Sequence, residues 1–340
     1  LIDLMGEEKT ELFFDMWLKN HFTRRDVDSL AAWGFNSIRL PMHYNLFTLP
    51  TEAEPVKGNN TWLEKGFAMV DSLLDWCGSK EMYLILDLHA APGGQGYNAD
   101  ISDYDDSKPS LWESKENRDK TVAFWKKVAE RYNNEPWIGG YDLINETNWN
   151  LPGGTLLRNL YEEITDSIRA TGDEHILFIE GNWFANDYTG LTPPWDDNMV
   201  YSFHKYWSSL DDLDWIIPLR DQYNVPLWMG ESGENSNTWF TDAVILFEEN
   251  NIGWAWWTMR KMESINSPYN IPINQGYKNI LDFWKGEGPR PSEDESFNAV
   301  MKLADNLLVP NNTFRPDVID ALMRQPNTEA TIPYSDQSIP

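Results

Sequence analysis

The chain has 340 residues, of which 54 are acidic and 27 are basic, so its formal net charge at pH 7 is -27. This charge argues against nucleic acid and anionic membranes as partners, because a polyanion would be repelled, whereas a neutral ligand would not. The single cysteine, Cys77, excludes an internal disulfide framework and any zinc site built from cysteine pairs. No apolar run approaches the roughly 20 residues that a membrane span requires.

The first predicted elements lie in residues 1–33, which have a helical pattern throughout. Apolar side chains fall on one side of this pattern, at Leu4, Leu12, Phe13, Met16 and Trp17. The segment begins without the basic region of a secretory signal, so we expect no signal peptide within this chain.

From residue 37 onward, short apolar strands alternate with amphipathic helices, a pattern typical of βαβ units and a parallel sheet. The predicted strands are Ser37–Pro41, Met82–His89, Gly140–Glu146, Ile176–Gly181, Met199–His204, Pro226–Glu231 and Ile252–Thr258. The predicted helices include Trp62–Ser79, Asn117–Tyr132, Thr155–Thr171, Leu210–Tyr223 and Thr238–Asn250. A (β/α)8 TIM barrel needs about 30 residues per unit, and the later strands keep to that spacing. The sequence therefore predicts an α/β fold of the TIM-barrel type.

Seven strands are visible where a TIM barrel has eight, and two explanations are open. We favour a first strand that precedes residue 1 in the natural protein over an unrecognised strand in the N-terminal segment. Residues 1–309 are predicted to form the barrel domain. Residues 310–340 are predicted to form a C-terminal helix near Arg315–Arg324 and a polar linker stub that leads to a further module.

Polar residues occupy the carboxyl ends of the predicted strands, the end at which barrel enzymes place their active sites. They are Arg39, His89, Asn145, Glu146, His204 and Glu231, with Tyr206 and Trp257 close by in the sequence. Burying a carboxylate is costly unless it has a role, so Glu146 and Glu231 are the main candidates. Two strand-end carboxylates across a barrel mouth are the minimum equipment for cleaving a glycosidic bond.

Six spaced motifs over about residues 23–258 resemble glycoside hydrolase family 5. They are Phe35-Asn36-Ser37-Ile38-Arg39-Leu40-Pro41, Leu86-Asp87-Leu88-His89, Ile144-Asn145-Glu146, His204-Lys205-Tyr206, Gly230-Glu231 and Trp254-Ala255-Trp256-Trp257. The resemblance implies a TIM barrel and retaining hydrolysis of β-linked glycans. The family's first strand, which carries a glycine-rich turn and a tryptophan, has no counterpart here.

By this resemblance Glu146 corresponds to the general acid/base and Glu231 to the nucleophile. Asn145 corresponds to the residue that hydrogen-bonds the sugar 2-hydroxyl. The remaining matches are Arg39 and Tyr206 around the nucleophile, and His89, His204 and Trp257 in the walls of the subsite for the cleaved sugar. An adjacent cation would keep the nucleophile ionised, and the negative nucleophile would raise the pKa of the acid. The implied chemistry needs no metal or other cofactor.

Further residues are weaker candidates for substrate contact. Five tryptophans follow strand ends and could stack on sugar rings, and we expect two or three of them to touch glycan: Trp112, Trp149, Trp183, Trp207 and Trp239. Glu180 ends a strand without an asparagine partner and is predicted to contact substrate or support the site. His43 is predicted either to contact a subsite or to pack in a loop. The long loop Ala91–Glu116 follows a strand end and should line the rim.

The leading hypothesis is a retaining endo-β-1,4-glucanase, a monomer acting on a β-glucan polysaccharide or oligosaccharide. Within the family, β-1,3-glucan, mixed-linkage glucan and mannan are alternatives, since residues 87–93 also resemble the β-1,3-glucanase branch. Two other classes remain open: a metal-dependent barrel hydrolase using Asp87, His89, His204 and Glu231, and a non-catalytic carbohydrate-binding barrel. Polymeric glucan cannot enter a cell, so we expect a secreted, periplasmic or cell-surface protein.

Overall fold

The computed structural model describes residues 1–207, 209–210 and 213–323. The strands are β1 (Ser37–His43), β2 (Tyr83–Ala90), β3 (Ile138–Asp142), β4 (Ile176–Glu180), β5 (Met199–His204), β6 (Leu227–Glu231), β7 (Gly253–Trp254), β8 (Arg260–Met262), β9 (Tyr269–Ile271) and β10 (Thr313–Phe314). The helices are α1 (Ile2–Met5), α2 (Glu7–His21), α3 (Arg24–Trp33), α4 (Glu64–Gly78), α5 (Ala99–Ser102), α6 (Lys115–Tyr132), α7 (Thr155–Arg169), α8 (Asn182–Ala185), α9 (Ile217–Tyr223), α10 (Asn237–Glu249), α11 (Gln275–Lys285), α12 (Glu293–Asn306) and α13 (Pro316–Leu322). Within these residues, no helix is both long enough and apolar enough to cross a bilayer.

Strands β1 to β7 form one parallel sheet in which each strand pairs with its neighbour in the sequence. Long helices connect β1 to β2, β2 to β3, β3 to β4 and β6 to β7, as right-handed βαβ units require. This is the strand order of a TIM barrel, with seven of the eight strands supplied by the described residues. The predicted fold class is therefore confirmed.

The described chain divides into two compact units. The sheet unit comprises Phe35–Ser232 and Ala243–Ala255 and contains β1 to β7. The terminal unit comprises Leu1–Gly34, Gly233–Asp242 and the described residues from Trp256 onward. It contains the N-terminal helices and the small sheet β10-β9-β8, with an apolar core that includes Phe13 and Val300. The predicted boundary between residues 309 and 310 stays a prediction, and the predicted linker stub at 325–340 lies outside the described residues.

Alternation along β2 separates the apolar core of the sheet unit from its polar site. Ile85 packs with Phe178, Val200 and Trp228 from three other strands of the sheet. Two residues further along the same face, Asp87 contacts charged groups instead of apolar ones. Because successive side chains of a strand point to opposite faces, the inner face is apolar near the start of β2 and charged near its end.

Several element boundaries differ from the sequence predictions. Strand β3 ends at Asp142, so Asn145 and Glu146 follow the strand instead of ending it. Glu146 has a φ of 36°, which an extended strand does not allow. Strand β7 is limited to Gly253–Trp254, so Trp257 lies beyond it. Helix α9 begins at Ile217, and its predicted first part includes residues outside the described ones.

A buried ion pair ties helix α6 to the segment after β1. The side chains of Lys120 and Glu54 are each 2% exposed and are hydrogen-bonded to each other. Glu54 also accepts hydrogen bonds from the backbone N–H of Thr61 at 3.0 and 3.1 Å. A buried ion whose partner is removed is strongly destabilising, because its desolvation is no longer offset.

Replacing Lys120 by Met should therefore lower the free energy of unfolding by about 3–5 kcal/mol, as measured by urea denaturation. The matched control is Lys126→Met on the same helix, because its side chain is 54% exposed and 3.9 Å from its partner carboxylate. The control should change the free energy of unfolding by no more than about 0.5 kcal/mol. The double variant with Glu54→Leu buries no unpaired charge and should recover part of the loss; a loss equal to the sum of the two single variants would contradict this account.

Candidate active site

Arg39 on β1 is the centre of the polar cluster, with a side chain that is 4% exposed. Its guanidinium contacts five oxygens: Glu231 Oε1 at 2.5 Å, Asp142 Oδ2 at 2.8 Å, Asn145 Oδ1 at 2.9 Å, Glu180 Oε1 at 3.0 Å and Asp87 Oδ2 at 3.2 Å. These oxygens come from four other strands or from the residues that follow them. A single cation thus joins the ends of four strands, and three of its five partners, Asn145, Glu180 and Glu231, are site residues that the sequence predicted.

The Glu231 carboxylate is held from two sides. Arg39 Nη1 donates to Oε1, and the Tyr206 hydroxyl donates to Oε2 at 2.8 Å. Burial by itself raises the pKa of this carboxyl, but the positive charges of His204 and Arg39 outweigh burial and lower it to about 2. Glu231 is therefore ionised over the whole range in which the protein would work, as a nucleophile must be.

Gly230 explains why Glu231 points into the site. The pairing of β5 with β6 shifts register here, with Phe203 opposite Met229 but His204 opposite Glu231. An inserted residue of this kind re-aims the side chain that follows it. A Cβ on Gly230 would lie 2.5 Å from Ser202 Oγ and 3.1 Å from His204 Nε2, so only glycine fits the inserted position without a shift.

Glu146 is held by its side chain and by its backbone. One carboxylate oxygen lies 2.7 Å from His204 Nδ1. Its backbone N–H donates to Glu180 Oε2 at 2.6 Å, and its φ of 36° lies in the left-handed region that non-glycine residues rarely adopt. Strained backbone of this kind persists where the surrounding structure fixes it, and it clusters at functional sites.

The two carboxylates lie near the same ring nitrogen of His204, with Nδ1 2.7 Å from Glu146 and 3.9 Å from Glu231. An oxygen of Glu146, a ring nitrogen of His204 and an oxygen of Glu231 all lie within 4.8 Å of one another. Burial by itself lowers the pKa of His204, but the negative charges of Glu180 and Glu231 outweigh it and raise the pKa well above 6.5. The site therefore places a cationic imidazole beside both of the carboxylates that the sequence singled out.

Gln95 is a site residue that the sequence interpretation missed. Its fully buried side chain donates to the backbone carbonyls of His89 at 2.7 Å and Asn145 at 2.9 Å, and accepts from the N–H of Ala91 at 3.1 Å. It thus fixes the loop after β2 against the segment that leads to Glu146. The sequence feature that could have identified Gln95 is its position in the glycine-rich stretch 92–96, just after a strand end.

Asp142 was also missed, and Asp87 was considered only as a ligand in the metal-dependent alternative. Both are fully buried, and burial raises the pKa of each. A charged residue within an apolar strand requires a partner, and this was the signal for both. Asp87, His89 and Glu231 could hold a metal ion by distance alone. However, Arg39 contacts two of these three groups, so a divalent cation there would meet a fixed positive charge.

The predicted tryptophan platforms fall into two groups. Trp112 and Trp149 are only 5% and 8% exposed, so the prediction that they present a face to glycan is not supported. Trp149 instead supports Tyr97, whose exposed ring stacks on it with centroids 3.9 Å apart. Trp183 and Trp207 are 45% and 74% exposed and remain candidates.

Four other predicted residues have clear positions. Glu180 is fully buried, and both of its carboxylate oxygens contact other site residues, which favours the supporting one of its two predicted roles. His43 lies 2.8 Å from Asp103 through Nε2, and its Nδ1 accepts from the N–H of Asn45, so both ring nitrogens have partners in loops. Trp239 and Trp257 are half-buried in the terminal unit, and the roles predicted for them stay predictions.

Comparisons with known proteins agree with this geometry. The sequence model of the family described as Cellulase (glycosyl hydrolase family 5) matches residues 5–263. A β-xylosidase of Phanerodontia chrysosporium is 35% identical over 209 residues, which are 61% of this chain and 42% of that protein. Endoglucanase C of Acetivibrio thermocellus is 26% identical over 79% of this chain and 94% of its own length. The structure of cellulose synthase subunit Z from Clostridioides difficile has the same fold, with a TM-score of 0.61 and 19% identity over 89% of this chain and 92% of that chain.

Replacing Tyr206 by Phe removes one hydrogen bond from ionised Glu231, so the pKa of Glu231 should rise from about 2 towards its ordinary value of 4.5. Because the folded-state pKa is depressed, ionised Glu231 contributes stability to the folded state that is fully present above pH 4.5 and is lost as the pH falls through about 2. The acid limb of kcat/KM on an aryl β-glycoside should move up by about one pH unit.

The matched control is Tyr201→Phe on β5, because the Tyr201 hydroxyl donates to the Leu191 carbonyl at 2.7 Å and not to a carboxylate. The acid limb of kcat/KM for Tyr201→Phe should lie at the same pH as that of the parent protein. An acid limb that does not move in the Tyr206 variant would show that the hydroxyl has no part in setting the Glu231 pKa.

Proposed function

The chain belongs to the cellulase family, glycosyl hydrolase family 5, and we propose that it cleaves β-linked glucan by a retaining double displacement. The observation that carries the mechanism is the distance of less than 4.8 Å between oxygens of Glu146 and Glu231. Retaining glycosidases hold their two carboxyl groups about 5–5.5 Å apart, whereas inverting ones leave about 6.5–9.5 Å for a water molecule. The short separation supports direct attack by one carboxylate.

In the first step, a Glu231 oxygen bonds to the anomeric carbon while the bond from that carbon to the glycosidic oxygen breaks. Glu146 gives its proton to the departing oxygen. Arg39 and Tyr206 hold Glu231 ionised and aimed, as their contacts at 2.5 and 2.8 Å indicate. The products of this step are a glycosyl ester on Glu231 and the free leaving sugar.

In the second step, ionised Glu146 takes a proton from water, and the water oxygen displaces Glu231 from the anomeric carbon. His204 Nδ1, 2.7 Å from a Glu146 oxygen, holds the Glu146 side chain in position for this role. Asn145 is proposed to bind the sugar 2-hydroxyl. Arg39 Nη2 holds its carbonyl oxygen at 2.9 Å, which fixes the orientation of the amide.

For the substrate, we propose endo-acting hydrolysis of β-1,4-glucan. The similarity to a protein named Endoglucanase C, over 79% of this chain and 94% of that protein, supports this. The exposed rings of Trp183 and Trp207 also support it, because they can cover the apolar faces of sugars. The name of the β-xylosidase relative and the resemblance of residues 87–93 to the β-1,3-glucanase branch make β-xyloside and β-1,3-glucan the competing substrates. A polymeric substrate also implies export of the protein from the cell.

The mechanism can be tested by trapping the intermediate. A 2-deoxy-2-fluoro β-glycoside with an activated leaving group should label Glu231, as located by peptide mass spectrometry. Glu231→Gln should lower kcat by about a thousandfold or more, and Glu146→Gln by about a hundredfold or more on an unactivated glycan. The control is Glu130→Gln on α6, whose side chain is 48% exposed and should not matter. Label on another residue would overturn the assignment of the nucleophile.

The substrate can be tested with a panel of cellulose, lichenan, laminarin, mannan and an aryl β-xyloside. We expect internal cleavage of cellulose-like chains, seen as oligosaccharides of mixed length. If the protein instead preferred to release single sugars from laminarin, the substrate would be β-1,3-glucan. If it preferred to release xylose from the aryl β-xyloside, the substrate would be a β-xyloside. Activity that persists after exhaustive chelation would eliminate the metal-dependent alternative, and binding to glycans without any cleavage would favour a non-catalytic barrel.

A further inference from the structure

Glu180 is a buried acidic residue of the site that the proposed mechanism does not use. Its side chain is fully buried at the end of β4, and both carboxylate oxygens face other site residues. Oε1 lies 3.0 Å from Arg39 Nη2 and 3.2 Å from His204 Nε2, and Oε2 accepts the backbone N–H of Glu146 at 2.6 Å. The carboxylate therefore joins the backbone of Glu146 to the two cations of the site.

The bond to the Glu146 N–H coincides with the strain at that residue. A φ of 36° is energetically costly for a residue with a side chain. A charge-assisted hydrogen bond to a buried carboxylate is among the stronger polar interactions available to a backbone N–H. Glu146 thus has a strained conformation, and the hydrogen bond from its N–H to Glu180 is strong enough to hold it there.

The same carboxylate also reaches Glu146 through His204. The imidazole has Nδ1 2.7 Å from Glu146 and Nε2 3.2 Å from Glu180, so the two carboxylates lie at opposite ends of one ring. Glu180 therefore fixes the main chain of Glu146 directly and its side chain through the imidazole. Tyr161 holds this arrangement in place from the other side, since its hydroxyl donates to the Glu180 carbonyl at 3.0 Å.

We propose that Glu180 is a positioning residue for the acid/base Glu146: its buried carboxylate holds Glu146 in the left-handed conformation from which the carboxyl can protonate the leaving oxygen. The proposal rests on the proposed function, because it concerns the protonation step of that reaction. It assigns to Glu180 a large effect on leaving-group protonation and a much smaller one on the attack by Glu231.

Glu180→Gln tests this with little change of shape. An amide has a single acceptor oxygen, and that oxygen should turn towards Arg39 and His204, because bonds to cations are the stronger ones. The amide NH2 then faces the N–H of Glu146, so two donors oppose each other and the anchor is lost. Glu146 should leave its strained conformation and its productive position.

The measurement compares two leaving groups. Hydrolysis of a β-linked oligosaccharide requires protonation of the leaving oxygen. Dinitrophenolate, in contrast, departs from a 2,4-dinitrophenyl β-glycoside without being protonated. In Glu180→Gln, kcat/KM on the oligosaccharide should fall by about a hundredfold, while kcat/KM on the dinitrophenyl glycoside stays within about threefold of the parent. Added azide should raise kcat on the dinitrophenyl glycoside and give a β-glycosyl azide, because the second step has lost its base.

Glu54→Gln is the matched control. Glu54 is also a buried carboxylate that accepts a backbone N–H and pairs with a cation, but its partners are Thr61, Thr48 and Lys120. It should lower stability and leave the ratio of the two kcat/KM values unchanged. If Glu180→Gln does not fold, Glu180→Asp keeps the charge while shortening the reach to Glu146, and the same ratio is measured on it.

The outcomes separate the proposals. An equal fall on both substrates would show that Glu180 acts through Arg39 and the nucleophile, and unchanged values on both would show that Glu146 needs no anchor; either overturns the proposal. A parent protein that hydrolyses neither substrate would instead contradict the proposed function, whatever the variant does.

Discussion

The contact on which the rest of the site depends is that of Arg39 with four carboxylates, Asp87, Asp142, Glu180 and Glu231, all within 3.2 Å of one guanidinium. Each carboxylate comes from a different strand of the sheet. Four buried carboxylates without a cation would repel one another and would each bear the cost of desolvation. An arginine suits the position because its charge is permanent and its donors spread in a plane that can serve several partners at once.

The acidic residues around this cation differ in pKa and therefore in protonation state. Burial raises the pKa of Asp142 well above its usual range and the negative charge of Glu180 adds to the effect, whereas Glu231 stays ionised. Asp142 accepts a hydrogen bond from Arg39 through one oxygen. Glu231 also accepts a hydrogen bond from the Tyr206 hydroxyl and lies near His204. The negative charge is thus kept on Glu231 and Glu180, whose pKa values are lowered, and not on Asp142. Groups whose environments push their pKa values apart are the usual basis of acid–base division in hydrolases.

The sequence predicted the repeating parts of this molecule well and its singular contacts poorly. Strand β5 was predicted with its observed ends because a period of two and a length of six residues are readable. The strands β8 to β10 have two or three residues each, too few to show a period. Trp149 and Trp183 both follow strand ends, and whether such a ring is buried or exposed depends on neighbours such as Tyr97 from a distant loop. Asp142 was overlooked because its partner, Arg39, is remote in the chain.

The two proposed catalytic residues lie where the chain departs from regular structure. Trp228 and Glu231 are separated by three positions on β6, so strict alternation would point them to opposite faces. Trp228 packs in the inner apolar cluster, and only the register shift at Gly230 turns Glu231 to the same side. Glu146 likewise lies beyond the end of β3 in a left-handed conformation. A perfectly regular barrel of this sequence would therefore carry both carboxylates without bringing them together, because the fold supplies the strand ends and the irregular residues supply the pair.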